Sequence, residues 1–162
     1  MSQLEFTERQ TGVTVFGKMQ YRAVDIDVKP GITEIHFLPF KKAYYPSEYR
    51  LCNVDKTFPD VETIYIAVGV ACVDIPNKMF PNVKQVKSKS SSFLDGKYLI
   101  EKAGMRLLNA FGQNENTAID FTRFHRIGNY AFEGCRAKKA IGIREMKIST
   151  IQDTAFIDSG FL

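Results

Sequence analysis

The sequence has few of the features on which common functional assignments rest. Among 162 residues it has no tryptophan, three cysteines and two histidines. No apolar run approaches the roughly 18 residues of a membrane-spanning helix, so we expect no membrane span. Residues 1–8 have neither a basic start nor an apolar core, so no signal peptide is recognised. A full-length chain of this kind would be cytoplasmic.

Signatures of catalysis and of metal binding are also missing. His36 and His125 are the only histidines, and no Gly-x-Ser-x-Gly, His-Glu-x-x-His or phosphate-binding glycine loop occurs. The cysteines Cys52, Cys72 and Cys135 cannot all pair with one another and form no Cys-x-x-Cys motif. We therefore expect a non-enzyme with no catalytic residues, no metal and no cofactor.

The net charge bears on the class of partner, and the length bears on the number of domains. A net charge of +4 is too small to argue by itself for nucleic acid as the partner. A chain of 162 residues fits one domain, 1–162.

What the sequence does contain is an internal repeat. Residues 127–135 (IGNYAFEGC) return 24 positions later as residues 151–156 (IQDTAF), with isoleucine, alanine and phenylalanine in the same register. Looser copies occur at residues 72–80 and 51–58. Self-similarity at a period of 20 to 50 residues is the signature of a solenoid.

A short apolar stretch follows each phenylalanine and is typical of a half-buried strand. Strands separated by a whole coil of chain pair in parallel, because antiparallel pairing uses a short hairpin. Each coil buries its apolar edge only by stacking on the next. The predicted strands of the stack are residues 32–37, 61–66, 83–88, 118–121 and 140–143.

The repeat also predicts which side chains point inward. Phe80, Phe132 and Phe156 share an offset of five from the repeat isoleucines, so we expect them to stack in one buried ladder. Cys72 and Cys135 fall at inward positions, and we predict buried free thiols, since free cysteine behaves as a small hydrophobe.

The residues 124–135 (FHRIGNYAFEGC) and 148–156 (ISTIQDTAF) closely resemble BspA-like leucine-rich repeats, whose hallmark is Ile-Gly-x-x-Ala-Phe-x-x-Cys followed by a strand. Residues 92–110 resemble the β-hairpin insertion of that family, in which Asp-Gly-x-Leu/Tyr-Leu recurs. The resemblance covers roughly residues 50–162. It implies an α/β solenoid, mainly β: a right-handed leucine-rich-repeat coil with a parallel sheet, an N-terminal β cap and an inserted β-hairpin. It also implies a surface or secreted bacterial protein-interaction scaffold.

The remaining segments are assigned around this stack. Residues 1–31 are taken as the cap, with strands at 11–17 and 21–28 and a frayed stretch at 1–9. The repeat coils occupy residues 32–162, with the hairpin insertion at about 89–115. Residues 101–111 also have the composition of a short helix, but Gly104 and the resemblance favour the hairpin.

Two further stretches between the strands are left with alternatives. The aromatic and basic stretch 38–50 fits no repeat, and either wraps the first coil or forms a binding lip. Residues 67–71 suit a tight bend or a short helical turn.

Two surfaces are candidates for ligand binding. Side chains alternate along a strand, so outward residues of successive coils form a ladder. That ladder contains His36, Tyr65, Lys87, Asp120 and Gly142, flanked by a second one of Glu34, Thr63, Gln85, Ala118 and Ala140.

The other surface is the segment 123–147, which has seven basic and two acidic residues. Its basic residues are Arg123, Arg126, Arg136, Lys138, Lys139, Arg144 and Lys147.

These features predict a non-catalytic protein-interaction module of the leucine-rich-repeat type. The alternative is a binding domain for an acidic polymer, an anionic glycan or nucleic acid, through segment 123–147. Residues 157–162 end in Phe161 and Leu162 without a polar cap, so we also expect self-association through the C-terminal end.

Overall fold

The computed structural model describes residues 4–8, 22–39, 47–51, 55–76 and 78–161. Within these ranges the chain forms strands, turns and one short 3-10 turn, Ala103–Met105, and no α-helix. The predicted solenoid, mainly β, is confirmed in this coarser sense, since the described chain is nearly all β; the helical share of the predicted α/β class is absent from the described residues. The strands are β1 (Leu4–Glu8), β2 (Arg22–Val28), β3 (Glu34–Phe37), β4 (Ser47–Leu51), β5 (Thr63–Ile66), β6 (Val70–Asp74), β7 (Gln85–Ser88), β8 (Leu99–Glu101), β9 (Arg106–Asn109), β10 (Ala118–Asp120), β11 (Arg126–Ile127), β12 (Lys139–Ile141) and β13 (Thr150–Ile151).

The strands pair with every second strand along the chain, which makes the molecule a β-solenoid of about four turns. One side carries the sheets β1-β2-β4-β6 and β8-β9-β11-β13, and the other carries β3-β5-β7 and β10-β12. All pairs within the coils are parallel, as predicted, because a full coil separates consecutive partners. The antiparallel pairs are β1 with β2 and β8 with β9.

The alternating pattern of β3, β5 and β7 explains how these strands bury one face. Ile35, Ile64 and Val86 stand opposite one another in register, and each has no exposed surface. Phe37 and Ile66 repeat the arrangement two residues later. Because side chains alternate across a strand, the residues between them face solvent.

The strand β8 separates two apolar cores. Leu99 packs into the core of the strands β2–β7, whereas its neighbours Tyr98 and Ile100 pack into a second core that β9, β10, β11 and the turns after them build. Consecutive side chains of a strand point to opposite faces, so a single strand can serve both cores. The predicted hairpin is present, since β8 and β9 pair antiparallel, but β9 is at the same time a strand of the parallel stack.

The phenylalanine ladder forms in two parts. Phe132 stacks on Phe156 with ring centres 4.9 Å apart and planes 6° apart. Phe80 packs instead against Phe58 at 5.8 Å and belongs to the first core. The single ladder through Phe80, Phe132 and Phe156 is therefore wrong, because β8 and its neighbours lie between the two halves.

Other expectations about the N-terminal half need correction. Residues 1–9 were expected to be frayed, but Leu4–Glu8 forms β1, the antiparallel neighbour of β2. The predicted strand at 21–28 is confirmed as β2, and the one at 11–17 lies outside the described residues.

Two coil strands of the N-terminal half were not anticipated, and neither were β11 and β13. The stretch 38–50 was expected to fit no repeat, yet Ser47–Leu51 is β4, which pairs with β2 and β6. Residues 67–71 bend at Val68 and Gly69 and then enter β6, so no helical turn forms there. No helix among the described residues has the length and apolar character needed to cross a membrane.

Candidate binding surfaces

The outer face of β3-β5-β7 presents the predicted ladder in register. His36 pairs with Tyr65, and Tyr65 pairs with Lys87. The rings of His36 and Tyr65 stack with centres 4.7 Å apart and planes 25° apart. Both rings are half-buried and Lys87 is exposed. The result is an aromatic platform with a cation at one edge.

The flanking ladder adds hydrogen-bonding groups and a carboxylate. Glu34, Thr63 and Gln85 are in register beside the first ladder, as predicted. A carboxylate oxygen of Glu34 lies 3.4 Å from His36 Nε2, so the acid sits at the opposite edge from Lys87. A flat surface with rings in the centre and opposite charges at its edges suits a polypeptide epitope better than a polymer of one charge.

Asp120 does not belong to this ladder, contrary to expectation. The N–H of Val86 donates to the Gly96 carbonyl at 2.7 Å, and the Gly96 N–H donates back at 3.0 Å. The segment 93–97 thus occupies the edge of β7 at which the sheet would otherwise continue. The register beyond it also differs from the prediction, because Asp120 pairs with Ile141 and Ala118 with Lys139, one residue before Gly142 and Ala140.

Asp120 instead lies in a groove of about 470 Å³ between the inserted segment and the sheet β10-β12. The Asp120 N–H donates to the Tyr98 hydroxyl at 3.2 Å, and burial raises the pKa of that hydroxyl. Hydrogen bonds from Thr122, and then from Arg123, hold the pKa of the Asp120 carboxyl below its usual range. Ile100 and Ile141 complete the apolar part of the wall.

Sequence reasoning missed Tyr98 as a member of this groove. Its signal was available, since Tyr98 and Asp120 are 22 residues apart, the spacing that separates Tyr65 from Lys87. Arg123, assigned from the sequence to the basic segment, follows Asp120 by three residues, and its Nε lies 3.3 Å from the Asp120 carboxylate. The groove therefore joins one residue from each predicted surface.

The basic segment 123–147 is divided among several surfaces. Arg126 lies on β11, Lys139 lies on β12 in a different sheet, and Arg136 and Lys138 lie in the loop between them. Arg136 donates to the Gln113 carbonyl at 2.8 Å and to Asn82 at 3.3 Å, and Lys138 pairs with Glu115 at 3.3 Å. The hydrogen bonds of Arg136 and the ion pair of Lys138 therefore connect neighbouring loops.

Four basic residues of the segment have no ion-pair partner within the part of the chain that the structure describes. They are Arg126, Lys139, Arg144 and Lys147, and all four are exposed. Arg126 also stands in register with Arg106 of β9, so two guanidinium groups are neighbours on that sheet. A like-charged pair of this kind is destabilising unless an anion lies against it.

The two cysteine thiols of the described chain, Cys72 and Cys135, differ in burial. Cys135 is buried and free, as predicted, and burial raises its pKa. Cys72 is free but only half-buried, and its neighbour Val73 takes the inward position instead. Burial raises the pKa of Cys72 to about 11, with Glu48, Asp74 and Glu101 opposing ionisation further and Arg50 favouring it. Neither thiol is a nucleophile near neutral pH.

The third cysteine, Cys52, lies outside the described residues. No three His, Cys, Asp or Glu side chains of the described ranges are grouped as metal ligands would be. No family model matches this sequence, and no curated protein or solved structure is significantly similar to it.

Proposed function

We propose that this chain is a non-catalytic protein-interaction scaffold of the BspA-like leucine-rich-repeat type, belonging to a surface or secreted protein. The observation that carries the proposal is the in-register surface of His36, Tyr65 and Lys87 on the outer face of β3-β5-β7. Repeat proteins bind partners through extended faces of this kind, built from equivalent positions of successive coils.

The composition of this surface favours a polypeptide partner. Tyrosine contributes most to interfaces when it is centrally placed and surrounded by groups that exclude water. Tyr65 is central here, stacked on His36 and flanked by Thr63 and Gln85 of the second ladder. Glu34 and Lys87 at opposite edges would fix the orientation of a partner with complementary charges.

The test is capture with paired variants, followed by a direct binding measurement. The chain and its Tyr65→Ala/Lys87→Ala variant are immobilised in parallel, and proteins retained only by the unmodified chain are identified and purified. Calorimetry should then show at least tenfold weaker binding to the variant. The matched control is Tyr130→Ala/Lys102→Ala, which removes an exposed tyrosine and lysine elsewhere and should bind normally. A partner lost equally from both variants, or no partner dependent on Tyr65 and Lys87, would contradict the proposal.

A second candidate is an acidic-polymer site, supported by four exposed cations for which the described residues provide no ion-pair partner, Arg126, Lys139, Arg144 and Lys147. Binding to an anionic polymer releases counterions, so its affinity falls steeply with salt. Retention on heparin and on duplex DNA is measured across a salt series for the chain and for Lys139→Ala/Arg144→Ala/Lys147→Ala.

The control for that experiment removes the same charge from another region. Lys84, Lys89 and Lys102 are exposed and lie outside segment 123–147, so their triple alanine variant has the same net charge. If only the first triple variant loses retention, the acidic-polymer candidate is supported. Equal loss from both variants indicates attraction by net charge alone, and would remove it.

A further inference from the structure

The groove beside Asp120 combines an aliphatic wall with a free strand edge and several charged groups. It has a volume of about 470 Å³, which lies in the range of ligand-binding clefts. The aliphatic wall is built by Leu94, Ile100, Met105, Ala118 and Ile141. A ligand that fills this groove therefore needs an apolar part.

One edge of β10 opens into the groove. The Phe121 N–H donates to the Ile141 carbonyl at 3.0 Å, so alternate residues of β10 direct their backbone groups away from β12. The Asp120 N–H has this outward direction, because it donates to the Tyr98 hydroxyl on the groove side at 3.2 Å. Ala118 points the same way, and no described segment pairs with its N–H or C=O. The groove thus offers one backbone donor and one backbone acceptor.

The two carboxylates of the groove already have hydrogen-bond donors from this chain. Asp120 accepts from the Thr122 N–H at 3.0 Å, from the Thr122 hydroxyl at 2.6 Å and from Arg123 Nε at 3.3 Å. Asp95 accepts from the Ser88 N–H at 2.5 Å. These contacts offset the negative charge that the carboxylates would otherwise present to a ligand.

The hydrogen-bonding positions that stay open are mostly donors. Lys97 is exposed and has no ion pair or hydrogen bond from its side chain to another described residue. Arg123 uses its Nε for Asp120 and leaves both Nη groups without a described partner. Tyr98 is 4% exposed, and its hydroxyl accepts from Asp120 but donates to no described residue. Lysine and arginine donors together favour a carboxylate as the ligand group.

The C-terminal end of a polypeptide matches all of these features. Its backbone can pair with the free groups of Ala118, as added strands do at sheet edges, and its terminal carboxylate can bind the open donors. A fatty acid has an apolar chain and a carboxylate but nothing that pairs with Ala118. Because Ala118 begins β10 and Arg123 follows its end, a chain with its carboxylate at Arg123 runs parallel to β10.

We propose that this groove binds the C-terminal end of a partner polypeptide, with apolar last residues against the aliphatic wall and the terminal carboxylate on Lys97 and Arg123. The bound chain pairs with Ala118 and adds a third strand to the sheet β10-β12. The site is separate from the outer face of β3-β5-β7, because segment 93–97 lies between them.

The first test uses an array of short synthetic peptides with free C-termini that differ in their last residues. The chain should select peptides with apolar last residues. Fluorescence anisotropy of one selected peptide should show at least tenfold weaker binding after its C-terminus is amidated. Decanoate at the same concentration should not displace the peptide, because it cannot pair with the edge of β10.

The second test removes the cations of the groove. Lys97→Gln/Arg123→Gln should weaken binding of the selected peptide at least tenfold, and should have little effect on the amidated peptide. The matched control is Lys89→Gln/Arg144→Gln, which removes two exposed cations outside the groove and should bind normally. Circular dichroism establishes that each variant is folded.

The third test removes the backbone donor of the strand edge. Proline is tolerated at the first residue of a strand, so Ala118→Pro deletes the free N–H without removing a bond between β10 and β12. Ala118→Ser keeps the N–H and is its control, so only the proline variant should weaken peptide binding. Tyr65→Ala/Lys87→Ala should bind the peptide normally, because that surface is a different site.

Four results would each overturn the proposal. They are an array without a bound peptide, equal affinity for the free and the amidated C-terminus, displacement by decanoate, and equal affinities of a groove variant and its control. Loss of the peptide from the Tyr65→Ala/Lys87→Ala variant would place its binding on the outer face of β3-β5-β7, and would overturn the separate site as well.

Discussion

At the scale of single residues, Phe132 is the side chain whose packing is best defined. It has no exposed surface and contacts the rings of Phe121, Phe124, Phe156 and Phe161. Truncating a buried phenylalanine removes its transfer free energy and leaves a cavity. We expect Phe132→Ala to lower the free energy of unfolding by about 3–5 kcal/mol, measured by urea denaturation.

The control for that substitution is Phe156→Ala. Phe156 is only half-buried, so the loss should be clearly smaller. Equal losses from the two variants would contradict the difference in burial between Phe132 and Phe156.

Cys72 provides a second prediction at this scale. Because burial raises its pKa to about 11, the reactive thiolate is scarce at pH 8. Alkylation in a Cys52→Ser background should be slow at pH 8, should accelerate as pH rises toward 11, and should be much faster in denaturant, where the pKa falls back. An apparent pKa below 9 in the folded protein would contradict the placement of Cys72.

At the scale of elements, β8 is the strand that decides the architecture. Leu99 and Ile100 are adjacent in sequence but pack into different cores. Hydrogen exchange should therefore separate them: Leu99→Ala should lower protection chiefly in β3, β5 and β7, and Ile100→Ala chiefly in β9–β12.

Each of these two variants is the control for the other, since both substitutions remove aliphatic carbons from adjacent residues of one strand. Leu99 is 1% and Ile100 is 5% exposed, so the removed surface is similar. If both variants lost protection uniformly over the whole chain, the two cores would unfold as one cooperative unit. The predicted separation of the cores at β8 would then be wrong.

At the scale of the whole molecule, stability should decrease toward the last coil. The strands β12 and β13 have only exposed residues, whereas β3 and β5 alternate buried and half-buried ones. We expect the backbone amides of residues 139–161 to exchange fastest among the described coils.

The internal reference is β3 and β5, whose buried residues should exchange more slowly. Protection at 139–161 equal to that of β5 would mean that the exposed strands β12 and β13 are as stable as the strands with buried residues.

The sequence alone determined the local pattern and the period. Alternating apolar residues located β3, β5 and β7, and the spacing of equivalent positions placed His36, Tyr65 and Lys87 in one register, because a coil of constant length returns the chain to the same place. The same pattern could not locate β4 or β6. In β4 the polar Ser47 occupies a buried position, and in β6 two half-buried residues in succession break the alternation.

Only the tertiary structure decided how the coils are divided. Either the segment 93–97 or a coil strand could form hydrogen bonds with the edge of β7, because backbone N–H and C=O groups are the same whatever the side chain. Once Gly96 bonds to Val86, Asp120 is displaced from the ladder and meets Tyr98 in the groove. Which of the two partners pairs with β7 depends on the cores into which Leu99, Tyr98 and Ile100 pack. That packing is a property of the three-dimensional structure.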